Sequence, residues 1–201
     1  MEQDNIFRIV VAAILLVAFS ISGYFRSRAN QSADTISPEE EGKFIYYFRS
    51  IGGLVMYGSM FLALIYPPAM QWARLSLPAW VRWTSAGVAI AVLPMIYWLF
   101  SSLGNNVTPT VVTRQEHQLV TEGPYRWIRH PLYTFGFLAI FASAITLDNW
   151  FLILTGLVTI NAILLRTPLE EAKLVEKFGD EYRRYMKRTG RYLPRFRASR
   201  E

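Results

Sequence analysis

The stretch WVRWTSAGVAIAVLPMIYWLF, residues 80–100, decides the fold: 21 consecutive positions hold a single charge, Arg82, close to the start. At 1.5 Å per residue a helix of that length reaches about 31 Å, the thickness of a hydrocarbon core. Four more apolar runs lie on either side, at residues 6–25, 44–66, 132–147 and 150–165. The first two of these are also long enough to span. The last two hold 16 residues each, about 24 Å of helix, which predicts either extension among interfacial residues or a hairpin that thins the bilayer. Asp148 and Asn149 supply the turn between them. The fold class read from this pattern is all-α, an integral, multi-pass membrane bundle of five transmembrane helices with a C-terminal amphipathic helical tail, in one domain over residues 1–201. Residues 6–25 have a rival reading as a secretory signal peptide with small residues at Ser20 and Ser22. Against it, the preceding segment carries Glu2 and Asp4 instead of positive charge.

Composition agrees. A chain with 52% hydrophobic residues and positive mean hydropathy exceeds what an ordinary soluble domain of this size contains. With no cysteine and only two histidines, disulfides, thiolate ligands and a cysteine nucleophile are excluded, and no metal site is expected. The net charge of +6 raises nucleic acid as a partner, but 11 of the 21 Lys and Arg lie from Arg166 onward, among 6 of the 15 acids. That is a tail beside a membrane, and no nucleic-acid partner is expected.

Charge in the short loops sets the expected orientation. Arg26, Arg28 and Lys43 follow the first run, Arg114, Arg126 and Arg129 follow the third, and the basic tail follows the fifth, whereas the other face has only Arg8, Arg74 and Arg82. An odd number of spans then puts the C-terminus in the cytoplasm, with the 101–131 loop and the 166–201 tail on the same face. The sequons at Asn30 and Asn106 become unglycosylated chance matches. In the tail, Leu169, Ala172, Val175, Phe178, Tyr182 and Tyr185 recur every three or four residues, which predicts an apolar helical face. Gly179 is expected to break it, Asp180 to cap a second piece, and Gly190 and Pro194 to end it.

Two polar blocks border the short apolar runs: HQLVTEGPYRWIRHPLYTFG at 117–136 and RTPLEE at 166–171, followed by FGDEYRRY at 178–185. Together they resemble the isoprenylcysteine carboxyl methyltransferase family, whose relatives include methyltransferases of phospholipid amines. The resemblance covers about residues 101–195, and residues 6–100 carry no such signature. The family usually places Gly two residues after the motif tyrosine, whereas here Tyr133 is followed by Gly136 at three. The resemblance implies S-adenosyl-L-methionine as donor and a lipophilic or prenylated acceptor entering from the membrane lipid, with residues 101–195 as the cofactor-binding and catalytic region. It implies that His117, Gln118, Leu119 and Val120 line the adenine, that Tyr125, His130 and Tyr133 close around the ribose and amino-acid end, and that Glu170 takes the ammonium. Arg166 resembles the substrate-side arginine, whose fork suits an acceptor carboxylate. The chain has no GxGxxG after a strand, which excludes a Rossmann-type methyltransferase.

Each residue also has a plainer reading. Arg126 and Arg129 suit positive-inside anchors beside an interfacial Trp127. His130-Pro131 suits a helix start with proline at the first helical position. Thr167-Pro168-Leu169-Glu170 has the pattern of a capping box, and Tyr182 and Tyr185 suit packing. The rival functions are amine methylation of a phospholipid and a noncatalytic transporter or scaffold. A transporter is expected to place ionisable groups near the bilayer midplane and to show repeats, and the sequence has no repeat.

Overall fold

A computed structural model describes residues 2–28, 42–103 and 119–195. Among these residues are five α-helices: α1 Glu2–Arg28, α2 Lys43–Ile65, α3 Ala79–Leu103, α4 Pro131–Thr146 and α5 Trp150–Arg188. The first four apolar runs become helices within a few residues of their expected ends, whereas the fifth continues unbroken to Arg188. Among the described residues four helices are long and apolar enough to cross a membrane, and α4, at 16 residues, is a shorter apolar one. His117, Gln118 and both sequons lie outside the described residues.

The helices pair as α1 with α3, α3 with α4, α4 with α5, and α2 with α5. Each buries a stripe and leaves the rest apolar and outward: α1 buries Phe7, Val11 and Ile14 while Ile9, Leu16 and Phe19 are exposed. Such an exterior costs nothing in lipid, where helix association depends on close packing and not on removing apolar surface from water. Small residues allow that approach. A Cβ added at Gly52 of α2 would touch the Thr159 hydroxyl of α5, and one at Gly156 would meet Phe141 of α4. Between α3 and α4, Val92, Ile96, Leu99, Phe100 and Phe135 form a core.

The α4–α5 connection is the expected turn at Asp148 and Asn149. Asp148 takes a positive φ of 60°, a conformation open to aspartate at modest cost. Asn149 caps α5 by accepting from the Leu152 amide at 3.1 Å and donates to the Met70 carbonyl at 3.2 Å. The hairpin is thereby tied to the 3₁₀ turn Pro67–Ala73 between α2 and α3.

Two expectations about the tail change. The helix does not restart after Arg166: α5 runs from Trp150 through Pro168, so Thr167 to Glu170 is not a capping box at a helix N-terminus. The Thr167 hydroxyl bonds backward to the Ile163 carbonyl at 2.8 Å, in the turn that Pro168 enters. The buried face of residues 166–172 is also the polar one. Arg166, Thr167, Glu170 and Glu171 are buried whereas Ala172 is exposed, because this part of the helix packs against the 119–131 loop and the segment beyond residue 188. The break at Gly179 is present, with φ 54° and ψ −127°.

Candidate active site

Residues 123–130 bring the loop back onto the bundle. Gly123 takes φ +59°, and a Cβ there would lie 2.1 Å from the Ser102 hydroxyl at the end of α3, so only glycine lets the loop approach this closely. A 3₁₀ turn, Gly123–Arg126, follows, and Trp127 packs its ring 5.7 Å from that of Trp98. Pro131 then starts α4 with His130 as N-cap; the His130 side chain makes no capping bond. The helix-start reading of His130-Pro131 is correct for the backbone and leaves the imidazole available.

That imidazole faces the acidic pair of α5. His130 Nε2 lies 3.3 Å from Glu171 Oε1, its Nδ1 lies 3.8 Å from Glu170 Oε2, and its ring stacks parallel to Tyr133 at 5.5 Å. The Tyr133 hydroxyl donates to both oxygens of Glu170, at 2.7 and 2.8 Å. Arg166 Nε sits 3.3 Å from Glu170 Oε1, one helical turn away on α5. His130, Tyr133 and Arg166, drawn from the two polar blocks, thus converge on the Glu170 carboxylate.

Glu171, beside it, is the hub of a second set that sequence reasoning left without a role. It accepts from Arg129 Nε at 2.8 Å and from Arg191. Arg129 also donates to the Met186 and Thr189 carbonyls, so the surface-anchor reading fails for it, while Arg126 is exposed as an anchor should be. Glu171 holds the Arg191 guanidinium above even its ordinary high value, chiefly through their hydrogen bond. Around this hub the chain beyond α5 lies alongside the loop. The Gly190 amide donates to the Trp127 carbonyl at 3.2 Å, the Arg129 amide to Gly190 at 2.8 Å and the His130 amide to Arg191 at 3.0 Å. Thr134 adds a bond to the Tyr192 carbonyl at 2.8 Å. Gly190 is required there, since a Cβ would fall 1.7 Å from the Leu193 carbonyl oxygen.

Among the described residues, the remaining candidates make no hydrogen bond to the acidic pair. Tyr125 packs against the α3–α4 core, its carbonyl accepting from the Tyr185 hydroxyl at 2.6 Å, and burial pushes its phenol well above the usual range. Leu119 and Val120 are half-buried at the start of the described loop. Tyr182 and Tyr185 are buried, as expected of packing residues. Arg129 and Glu171 stood inside the quoted motifs and were findable there; Arg191 and Tyr192 follow the helix end with no pattern to mark them.

A buried carboxylate with a phenol, an imidazole and a guanidinium around it, next to apolar helices, suits a zwitterionic small molecule better than a metal. A sequence profile described as phospholipid methyltransferase matches residues 81–181, half of the chain. The chain belongs to the phospholipid methyltransferase family. Methanethiol S-methyltransferase of Pseudomonas deceptionensis is 42% identical over 75 residues, covering 37% of this chain and 28% of that protein. Protein-S-isoprenylcysteine O-methyltransferase of Schizosaccharomyces pombe is 36% identical over 81 residues, 40% of this chain and 34% of that one. The human protein of the same name is 26% identical over 147 residues, 63% of this chain and 52% of that one. A solved structure of a eukaryotic intramembrane isoprenylcysteine carboxyl methyltransferase matches with a TM-score of 0.54 at 25% identity, over 72% of this chain and 51% of that chain. The chain therefore spans about half, or less, of the length of these relatives.

Proposed function

We propose that this member of the phospholipid methyltransferase family transfers a methyl group from S-adenosyl-L-methionine to a lipophilic acceptor, foremost the carboxylate of an isoprenylcysteine-like molecule. The observation that carries this is the Tyr133–Glu170–Arg166 cluster, a buried carboxylate and guanidinium presented from an apolar helix. The residues fit the donor: Glu170, held by Tyr133, is an anion for its ammonium, His130 lies flat beside it, and Leu119 and Val120 offer apolar surface nearby in sequence. When bound, the donor supplies a methyl group on a sulfonium. The chain's part is to orient, to exclude water and to balance charge. Arg166 sets a guanidinium beside Glu170, and a positive group on the acceptor side favours an anionic acceptor and opposes a protonated amine.

The test is calorimetric titration of the purified protein with S-adenosyl-L-methionine or its demethylated product. His130→Ala and Glu170→Gln are expected to weaken binding at least tenfold, about 1.4 kcal/mol, and Arg126→Ala to leave it unchanged. Equal affinity in all four proteins would remove the donor assignment. A scaffold or transporter would bind neither compound.

A second acceptor reading rests on the methanethiol-methylating relative: a thiolate is also an anion, and Arg166 would stabilise it in the same way. Comparing turnover of a prenylcysteine, a small thiol and phosphatidylethanolamine separates the readings, and turnover of the last alone would move the chain to amine methylation.

We place the C-terminus in the cytoplasm from the distribution of Lys and Arg. A reporter fused after Glu201 should be active there and one ahead of Met1 should be exported; both termini on one side would mean that one of α4 and α5 does not span or that α1 is removed.

A further inference from the structure

The three bases assigned to the non-cytoplasmic face, Arg8, Arg74 and Arg82, converge on one cavity far from the acidic pair. Arg82 and Ser102, which touches the loop of the candidate active site, are 20 residues apart on α3, about 30 Å along the helix. The cavity, about 250 Å³ and open on one side, is lined by Pro68, Met70 and Leu147 between the charged groups. Buried Arg82 lies 3.9 Å over the Phe7 ring, donates Nε to the Thr146 carbonyl at 3.0 Å and pairs with Asp4 at 2.6 Å. Arg74 pairs with Asp148 at 3.0 Å and reaches Asp4 at 3.5 Å. The second oxygen of Asp148 accepts from the Leu77 amide at 2.8 Å. Arg8 donates to the Leu64 carbonyl and to Asn5 at 3.0 Å.

Three guanidiniums against two carboxylates leave one positive charge uncompensated among the described residues. The Nη1 group of Arg74 has no hydrogen-bond partner among them, and the Arg74 side chain is 52% exposed. Tyr66, Trp72, Trp80 and Trp150 are all exposed at this end of the bundle, the belt that marks headgroup depth at a membrane interface. The anion at that depth is the phosphodiester of a phospholipid, and arginine forks match phosphate oxygens in pairs.

We infer that this cavity binds the phosphate headgroup of a phospholipid in the leaflet opposite the candidate active site, with Arg74 and Arg8 as its cationic contacts and Arg82 fixed beneath them by Asp4. The inference does not rest on the methyl-transfer reading.

The full chain, delipidated in detergent, would be titrated with dioctanoyl phosphatidylglycerol and followed by native mass spectrometry and melting temperature. Saturable binding of one lipid is expected, with a rise in melting temperature. The Arg8→Gln/Arg74→Gln double variant should bind at least tenfold more weakly while its affinity for S-adenosyl-L-methionine stays within twofold. If that variant does not fold, Arg74→Gln alone, at the half-exposed position, should weaken lipid binding at least threefold. Lipid affinity that is unchanged in the folded variant would overturn the site and leave the cluster as a structural ion-pair lock. Inorganic phosphate binding as tightly as the lipid would overturn the assignment to a headgroup.

Discussion

Arg166→Lys is expected to lower turnover on a prenylated cysteine analogue about a hundredfold, near 2.7 kcal/mol in the transition state, while donor affinity stays within about threefold. Lysine keeps the positive charge near Glu170 but loses the planar fork that holds a carboxylate by two parallel hydrogen bonds. Arg166 lies buried one turn from Glu170 with its Nε 3.3 Å from that carboxylate, so the guanidinium is already oriented before an acceptor arrives. Steady-state kinetics with separate donor titration distinguish the two effects. Equal losses in donor affinity and turnover would mean that Arg166 acts only by setting the Glu170 carboxylate, and an unchanged turnover would end its assignment to the acceptor.

Glu171→Ala should have the largest effect on stability. The side chain lies between Arg129, His130 and Arg191, and the Arg129 side chain is only 8% exposed. Removing the carboxylate leaves a buried guanidinium without its counter-ion, a loss on the order of 3–5 kcal/mol, or roughly a 10 °C fall in melting temperature for a chain of this size. Glu176→Ala, at an exposed position on the same helix, should shift the melt by no more than a degree or two. Glu171→Gln, which keeps an acceptor oxygen, should fall between them. A melt for Glu171→Ala that matches the Glu176→Ala control would show that the network contributes orientation without stability.

The helices were legible because apolar runs of 16 to 23 residues have few alternatives in a chain this hydrophobic. The loop signals at Asp148, Gly179 and Gly190 were legible for the same local reason: turn chemistry is written in the residue itself. The continuity of α5 was not. Thr167-Pro168-Leu169-Glu170 reads as a helix start, and only the Thr167–Ile163 bond and the packing around Glu170 reveal a helix that passes through. Arg129 was misread because its partners, Glu171 and the Met186 carbonyl, lie 42 and 57 residues away, a separation no window of sequence spans. The apolar-face expectation for the tail failed at Ala172 because periodicity assumes that the apolar side is the buried one. At a polar site inside a membrane protein the carboxylates are the groups drawn inward, compensated by arginines from elsewhere in the chain. Arg8, Arg74 and Arg82 were correctly grouped on one face by counting, but their convergence on Asp4 and Asp148 depended on the third dimension.

The pairing of residues 127–130 with 190–192 bears on biogenesis. The apolar part of α5 and the hairpin it forms with α4 are synthesised before Arg191. Until then Glu171 lacks one of its two arginines, and the His130 amide lacks the Arg191 carbonyl. Joining segments about 60 residues apart also requires a large loop to close, which the intervening hairpin shortens once it has formed. The polar centre is therefore completed last, after translation of its distal strap, and a nascent chain still lacking residues 190–192 cannot hold that arrangement.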